Sequence, residues 1–105
     1  MTLESVQALF IDQTVTLTED EVLERSGLSA LELHALADSG ALVPAAGAGR
    51  VVYSIECLTI ARTASRLRDE LALEDTHALA VVLRLMQRVS ELEAALAQVT
   101  AQRRR

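Results

Sequence analysis

The sequence of 105 residues predicts a mainly α fold: two short helices around a tight turn, a small β-hairpin, then two longer helices, the last extending into a coiled coil. Three observations carry that expectation. Two capping-box tetrapeptides, Thr18-Glu19-Asp20-Glu21 and Ser29-Ala30-Leu31-Glu32, follow one another with Gly27 between them. The Gly-rich stretch Gly47-Ala48-Gly49 separates two short apolar pieces. From Thr76 onward neither Gly nor Pro occurs, and apolar residues recur every three or four positions. Half of the residues are apolar, yet Phe10 and Tyr53 are the only aromatic ones. Leu, Ala and Val must therefore fill the core of what the length predicts to be one domain over residues 1–105.

Each element has a local cause. Residues 1–13 mix apolar and polar positions without a cap. Thr14-Val15-Thr16-Leu17-Thr18 alternates β-branched and apolar residues, as a short strand does. Thr18 opens the first helix: its hydroxyl can accept from the N3 amide while Glu21 reaches back to the Thr18 amide. Gly27 stands where a C-cap belongs, so this helix ends near Ser26 after about two turns. Ser29 opens the second helix, with Leu33, Leu36 and Ala37 on one face and Ser39-Gly40 as its stop. Two short helices so joined read as a helix-turn-helix.

Ala41-Leu42-Val43-Pro44 and Arg50-Val51-Val52-Tyr53 flank the Gly-rich tip as the arms of a hairpin, a wing on the helix pair. Ser54 caps a third helix, with Glu56 in its first turn and Leu58, Ala61, Ala64, Leu67 and Leu71 at helical spacing to about residue 73. Residues 14–73 thus form a winged helix-turn-helix with its third helix. Glu74-Asp75-Thr76 interrupts the rhythm and offers a new cap. Beyond it Ala78, Val82, Leu85, Val89, Leu92, Leu96 and Val99 keep alternate spacings of four and three, the a/d seam of a coiled coil. Leu79, Leu83 and Met86 add a second apolar stripe at the start of this helix. Residues 76–102 are expected to pack and then dimerise, with Val82, Leu85, Val89, Leu92, Leu96 and Val99 at the homodimer interface. Arg103-Arg104-Arg105 makes a solvated tail.

Charge narrows the function. The chain holds 15 acidic and 10 basic residues, for a net charge of −5, and every basic residue is Arg. Eight of the acids precede residue 50, against Arg25 alone. A second helix with Glu32 and Asp38 and no Arg would repel phosphates where a DNA reader needs counterion release, so direct DNA binding is not expected. The cluster Glu19, Asp20, Glu21, Glu24, Glu32 and Asp38 suits a basic partner instead, although Glu19 to Glu21 also favour a helix N-terminus and Glu21 and Glu32 have capping work. Arg66 and Glu70 are spaced for an exposed i,i+4 pair.

Other chemistry finds little support. Cys57 stands alone, which excludes an internal disulfide, and in the apolar start of a helix it reads as a small hydrophobe. His34 and His77 lack companion ligands, and Gly47-Ala48-Gly49 is not a phosphate loop. With no triad and no acid/base pair, the sequence predicts no enzyme, no cofactor, no metal and no small-molecule substrate. No apolar run reaches the roughly 18 residues of a membrane span, and Met1-Thr2-Leu3-Glu4 lacks the basic region of a secretory signal, so the protein is expected in the cytoplasm, away from membranes.

Leu17-Thr18, Ser26-Gly27-Leu28-Ser29, Leu36, Gly40-Ala41-Leu42-Val43-Pro44, Val52-Tyr53-Ser54 and Arg66-Leu67-Arg68 together resemble the MerR family over about residues 15–83. MerR regulators carry several basic residues in the second helix and wing, whereas the wing here has Arg50 alone. Arg66-Leu67-Arg68-Asp69-Glu70-Leu71-Ala72-Leu73 and Ala80-Val81-Val82-Leu83-Arg84-Leu85-Met86 resemble the MerR-like chaperone modulator CbpM family, from which the link Glu74-Asp75-Thr76-His77 departs in length and residue type. This resemblance implies a protein that binds the J domain of a CbpA/DnaJ-type co-chaperone and inhibits its co-chaperone and DNA-binding activities. Glu19, Asp20, Glu21, Glu24, Glu32, Asp38, Arg66 and Glu70 are then the candidate contacts to the basic helix that a J domain presents to Hsp70. The alternatives are a MerR-like transcriptional regulator binding DNA as a dimer through Arg50, Arg62 and the tail, or a coiled-coil adaptor with an unrelated partner.

Overall fold

A computed structural model describes residues 15–47 and 49–104. They form strand β1 (Thr16–Leu17), helices α1 (Glu19–Ser26) and α2 (Ala30–Asp38), strands β2 (Ala45–Gly47) and β3 (Arg50–Ser54), and helices α3 (Ile55–Leu71) and α4 (Thr76–Arg103). The fold is mainly helical, with one small sheet in the order β1-β3-β2. Both pairings are antiparallel, Leu17 opposite Tyr53 and Ala45 opposite Val52.

The caps form as their residues dictate. Glu21 N donates to Thr18 Oγ1 at 3.2 Å while Thr18 N donates to Glu21 Oε1 at 2.9 Å. Ser29 and Glu32 repeat the exchange at 3.1 and 2.9 Å. Gly27 ends α1 at φ 82°, its amide donating to Leu23 O at 3.0 Å. Ser54 caps α3 and Asp75 caps α4, accepting from Cys57 N at 3.1 Å and His77 N at 3.0 Å.

Three boundaries differ from the sequence expectation. The first hairpin arm is Ala45–Gly47, not Ala41–Pro44. Ala41 closes the end of α2 by donating to Leu36 O at 2.9 Å, and Leu42 is buried in the core. Pro44 has no N–H to donate, so the ladder begins after it. Helix α3 stops at Leu71, two residues short of the expected 73, because Ala72 turns into the left-handed region at φ 52°. The expected strand over 14–18 narrows to Thr16–Leu17; Thr14 and residues 1–13 lie outside the described residues.

Val22, Leu33, Leu36, Leu42 and Leu79 are the largest fully buried side chains, in one contiguous cluster with Leu17, Leu28, Tyr53, Leu58 and Leu67. Ala61 and Ala64 are completely buried on α3, and their small side chains let neighbouring helices approach closely. Helix α1 packs across α3, and both α2 and α3 contact α4. Helix α4 gives the core only Leu79, Ala80 and Leu83, and its residues from Arg88 to Arg103 are all exposed. No helix among the described residues is long and apolar enough to cross a membrane.

The α1–α2 turn tolerates little change. A Cβ on Gly27 would stand 3.3 Å from Ser65 Oγ, whereas one on Gly49, at φ 76°, meets nothing. Both substitutions carry the left-handed backbone cost of about 1–2 kcal/mol. Gly27→Ala is therefore expected to destabilise the protein more than Gly49→Ala, as measured by urea unfolding of the two variants side by side.

Candidate functional site

The eight residues expected at a partner surface separate once the helices pack. Glu19 is engaged: its Oε1 meets His34 Nε2 and lies 3.5 Å from the Tyr53 hydroxyl, which donates to it. That contact gathers α1, α2 and β3 at one corner. Burial, and then the Glu19 charge, raise the Tyr53 phenol above its ordinary value and keep it protonated. Glu21 is spent on the Thr18 cap, and the Thr18 amide hydrogen bond holds its carboxyl below the usual glutamate value. Asp20 and Glu24, one turn apart on the same side of α1, are exposed.

Glu32 departs from the expected open acidic surface. Its Oε1 accepts from Arg68 Nη1 at 2.8 Å as well as from Ser29 N, and its side chain is only 14% exposed. Arg68 also donates to Gly27 O and Ser65 Oγ, each at 3.2 Å, and to Asp69. Asp69 first, and then Glu32, hold this guanidinium still more firmly in its charged form. The structure thus gives Arg68 an anchoring role, while Arg66 pairs with Glu70 at 4.0 Å, both well exposed. No local spacing announces the Arg68–Glu32 contact, since 36 positions separate the two.

Asp38 belongs to a different feature. It stands on the rim of a groove of about 780 Å³ between α2 and the first half of α4. Leu31, Ala35, Ala80, Val81 and Leu85 make its apolar wall, and Asp75, Arg84 and Arg88 share the rim. Leu31, His34 and Asp38 are the exposed residues of α2 beyond its first residue, and no arginine is among them. The groove runs into the seam of α4, where Leu85, Val89, Leu92, Leu96 and Val99 are 51–66% exposed and Val82 is half-covered by its own chain.

Among the described residues, no three His, Cys, Asp or Glu side chains come together to hold a metal. Cys57 is buried, its thiol donating to Val43 O at 3.6 Å. Comparison with models of known protein families, with curated proteins and with solved structures finds no match.

The engaged carboxylates can be tested through stability. In a double-mutant cycle, Arg68→Ala and Glu32→Gln are expected to couple by about 1 kcal/mol, more than a freely exposed pair, because both side chains are mostly covered. Urea unfolding of the wild type, both single variants and the double variant checks this; additivity would exclude the link. Because the Glu21 carboxyl is lowered in the folded state, its contribution is complete above the ordinary glutamate range and fades as pH falls through the lowered value. Glu21→Gln should therefore weaken the protein at neutral pH and flatten its loss of stability on acidification, read from thermal unfolding across that range.

Proposed function

We propose that the chain is a MerR-like winged helix-turn-helix protein that has exchanged DNA for a protein partner. In this reading it modulates chaperones in the cytoplasm, as the CbpM family does. It binds the J domain of a CbpA/DnaJ-type co-chaperone, covers the basic helix that contacts Hsp70, and so inhibits co-chaperone activity and DNA binding together. The observation that carries the reading is the outward face of α2, with Leu31, His34 and Asp38 and no arginine. In a groove-reading helix that face would meet phosphates and base edges, and here it would add repulsion. The β2–β3 hairpin serves as the wing, and the exposed seam of α4 as a homodimeric coiled coil.

Asp20 and Glu24 carry the electrostatic side of the recognition, since Glu19, Glu21 and Glu32 are engaged within the chain. Complementary charge of this exposed kind speeds encounter and sharpens selectivity more than it deepens affinity. Calorimetric titration with an isolated CbpA-type J domain tests the reading. Saturable binding that weakens with salt is the expected result. The Asp20→Lys, Glu24→Lys double variant should bind at least about ten-fold more weakly and with less salt dependence. Unchanged affinity would remove α1 from the interface. Absence of J-domain binding, with a gel shift of DNA at low salt, would favour the transcriptional regulator instead.

A further inference from the structure

The register of β1 fixes where the chain before it enters. Thr16 pairs with Ser54 and the two strands run antiparallel, so the residues preceding Thr16 arrive at the first turn of α3. Val15 and Ile55 stand at that entry, 38% and 45% exposed. Ile55, Thr59 and Thr63 follow at four-residue intervals along one side of α3. Both threonine hydroxyls donate to carbonyls one turn back, at 3.3 and 3.1 Å, so their donors are used within the helix.

This stripe leads into a cleft between α3 and α4. Thr59, Ile60 and Thr63 line one wall, and Leu83, Met86 and Gln87 the other, around about 200 Å³. Met86 is 42% exposed and Ile60 half-buried. The cleft shares no residue with the groove beside α2.

We propose that the cleft seats the N-terminal segment of the same chain, with Phe10 between Ile60 and Met86. Residues 1–14 lie outside the described residues, and their sequence supplies the complement. Leu3, Val6 and Phe10 are spaced three and four apart, the pattern of one helix face. Such a helix rises roughly 11 Å from Leu3 to Phe10, close to the roughly 12 Å of α3 from Ile55 to Thr63. The link from Phe10 to Val15 spans up to roughly 16 Å, while α3 rises only about 8 Å from Ile55 to Ile60, so Phe10 reaches the cleft without strain. Asp12-Gln13-Thr14 then crosses a neighbouring hollow whose lining of Glu56, Arg84, Gln87 and Glu91 is also polar.

Two further facts favour this occupant. Phe10 is the one aromatic residue besides Tyr53, which the core already holds, and the cleft has room for a ring. A segment tethered at the lip of the cleft meets it at an effective concentration on the order of millimolar, which a separate chain has to match. The seat lies apart from α2, so it holds whether or not the chain meets a J domain.

Two measurements on the full chain test the proposal. The sequence has no Trp, so Phe10→Trp introduces a single indole. Its emission should lie to the blue of the same chain in urea, and it should return to the red when Met86→Lys is added with the helical circular dichroism unchanged. Emission that is the same folded and in urea, or a blue shift indifferent to Met86→Lys, would overturn the seat. For position, chains with Cys57→Ala and Phe10→Cys carry a second cysteine at either Met86→Cys or Leu31→Cys, and are oxidised with copper phenanthroline in air. The Met86→Cys chain should close a bond within itself, seen as a faster monomer band on a non-reducing gel, and the Leu31→Cys chain should not. Equal closure in both chains would overturn the cleft as the seat, and bonds formed only between chains would overturn docking within one chain.

Discussion

Arg68 reaches from α3 to the turn between α1 and α2, and the arrangement of the helix pair depends on that reach. Its guanidinium takes Gly27 O at 3.2 Å and Glu32 at 2.8 Å, one contact on each side of the turn. Glu32 also accepts from Ser29 N at the cap, so one carboxylate starts α2 and ties it to α3. Charge-assisted bonds of this kind, on mostly covered side chains, hold geometry better than exposed ion pairs do. Ser65 stands beside Gly27 and beside Arg68, so a Cβ at Gly27 would make a tight 3.3 Å contact with its hydroxyl.

The core behind that turn is built from Leu and Ala with a single described aromatic side chain, Tyr53. Small side chains bring the helices close, but they also make a small body. Helix α4 leaves it after Leu83, and Gln87 makes the final tie by donating to Ala41 O at 2.9 Å. Beyond that tie, from Arg88 to Arg103, roughly 24 Å of helix is exposed along its whole length. An amphipathic helix in that position exposes its apolar stripe because the body has no surface left to cover it.

The acidic residues show how the same composition can serve two ends. Glu19, Glu21 and Glu32 each satisfy a group inside the chain, a histidine and a phenol, a cap amide, a guanidinium. Asp20 and Glu24 face water, and an encounter with a basic surface would draw on them. A cluster of negative charge in the sequence is thus partly structural work and partly field, and only the partners of each carboxylate separate the two.

Caps, turns and seam are legible because their causes are local. Thr18 with Glu21, Ser29 with Glu32, Gly27 at a C-cap and the four-three spacing of α4 are interactions between residues three or four positions apart, so composition and order alone specify them. The first arm of the hairpin lies later than the apolar pattern suggests, since nothing in Ala41-Leu42-Val43-Pro44 tells that Leu42 drops into the core. The Glu19–His34–Tyr53 corner, the Arg68–Glu32 tie and the groove between α2 and α4 are beyond reach for the same reason. They join residues far apart in the chain, and such meetings exist only after the core has chosen which faces touch. The sequence by itself determined the helices and their apolar stripes, through short-range hydrogen bonds and periodicity. The tertiary structure decided which charges are consumed and which apolar face is left uncovered, because burial belongs to the packed chain as a whole.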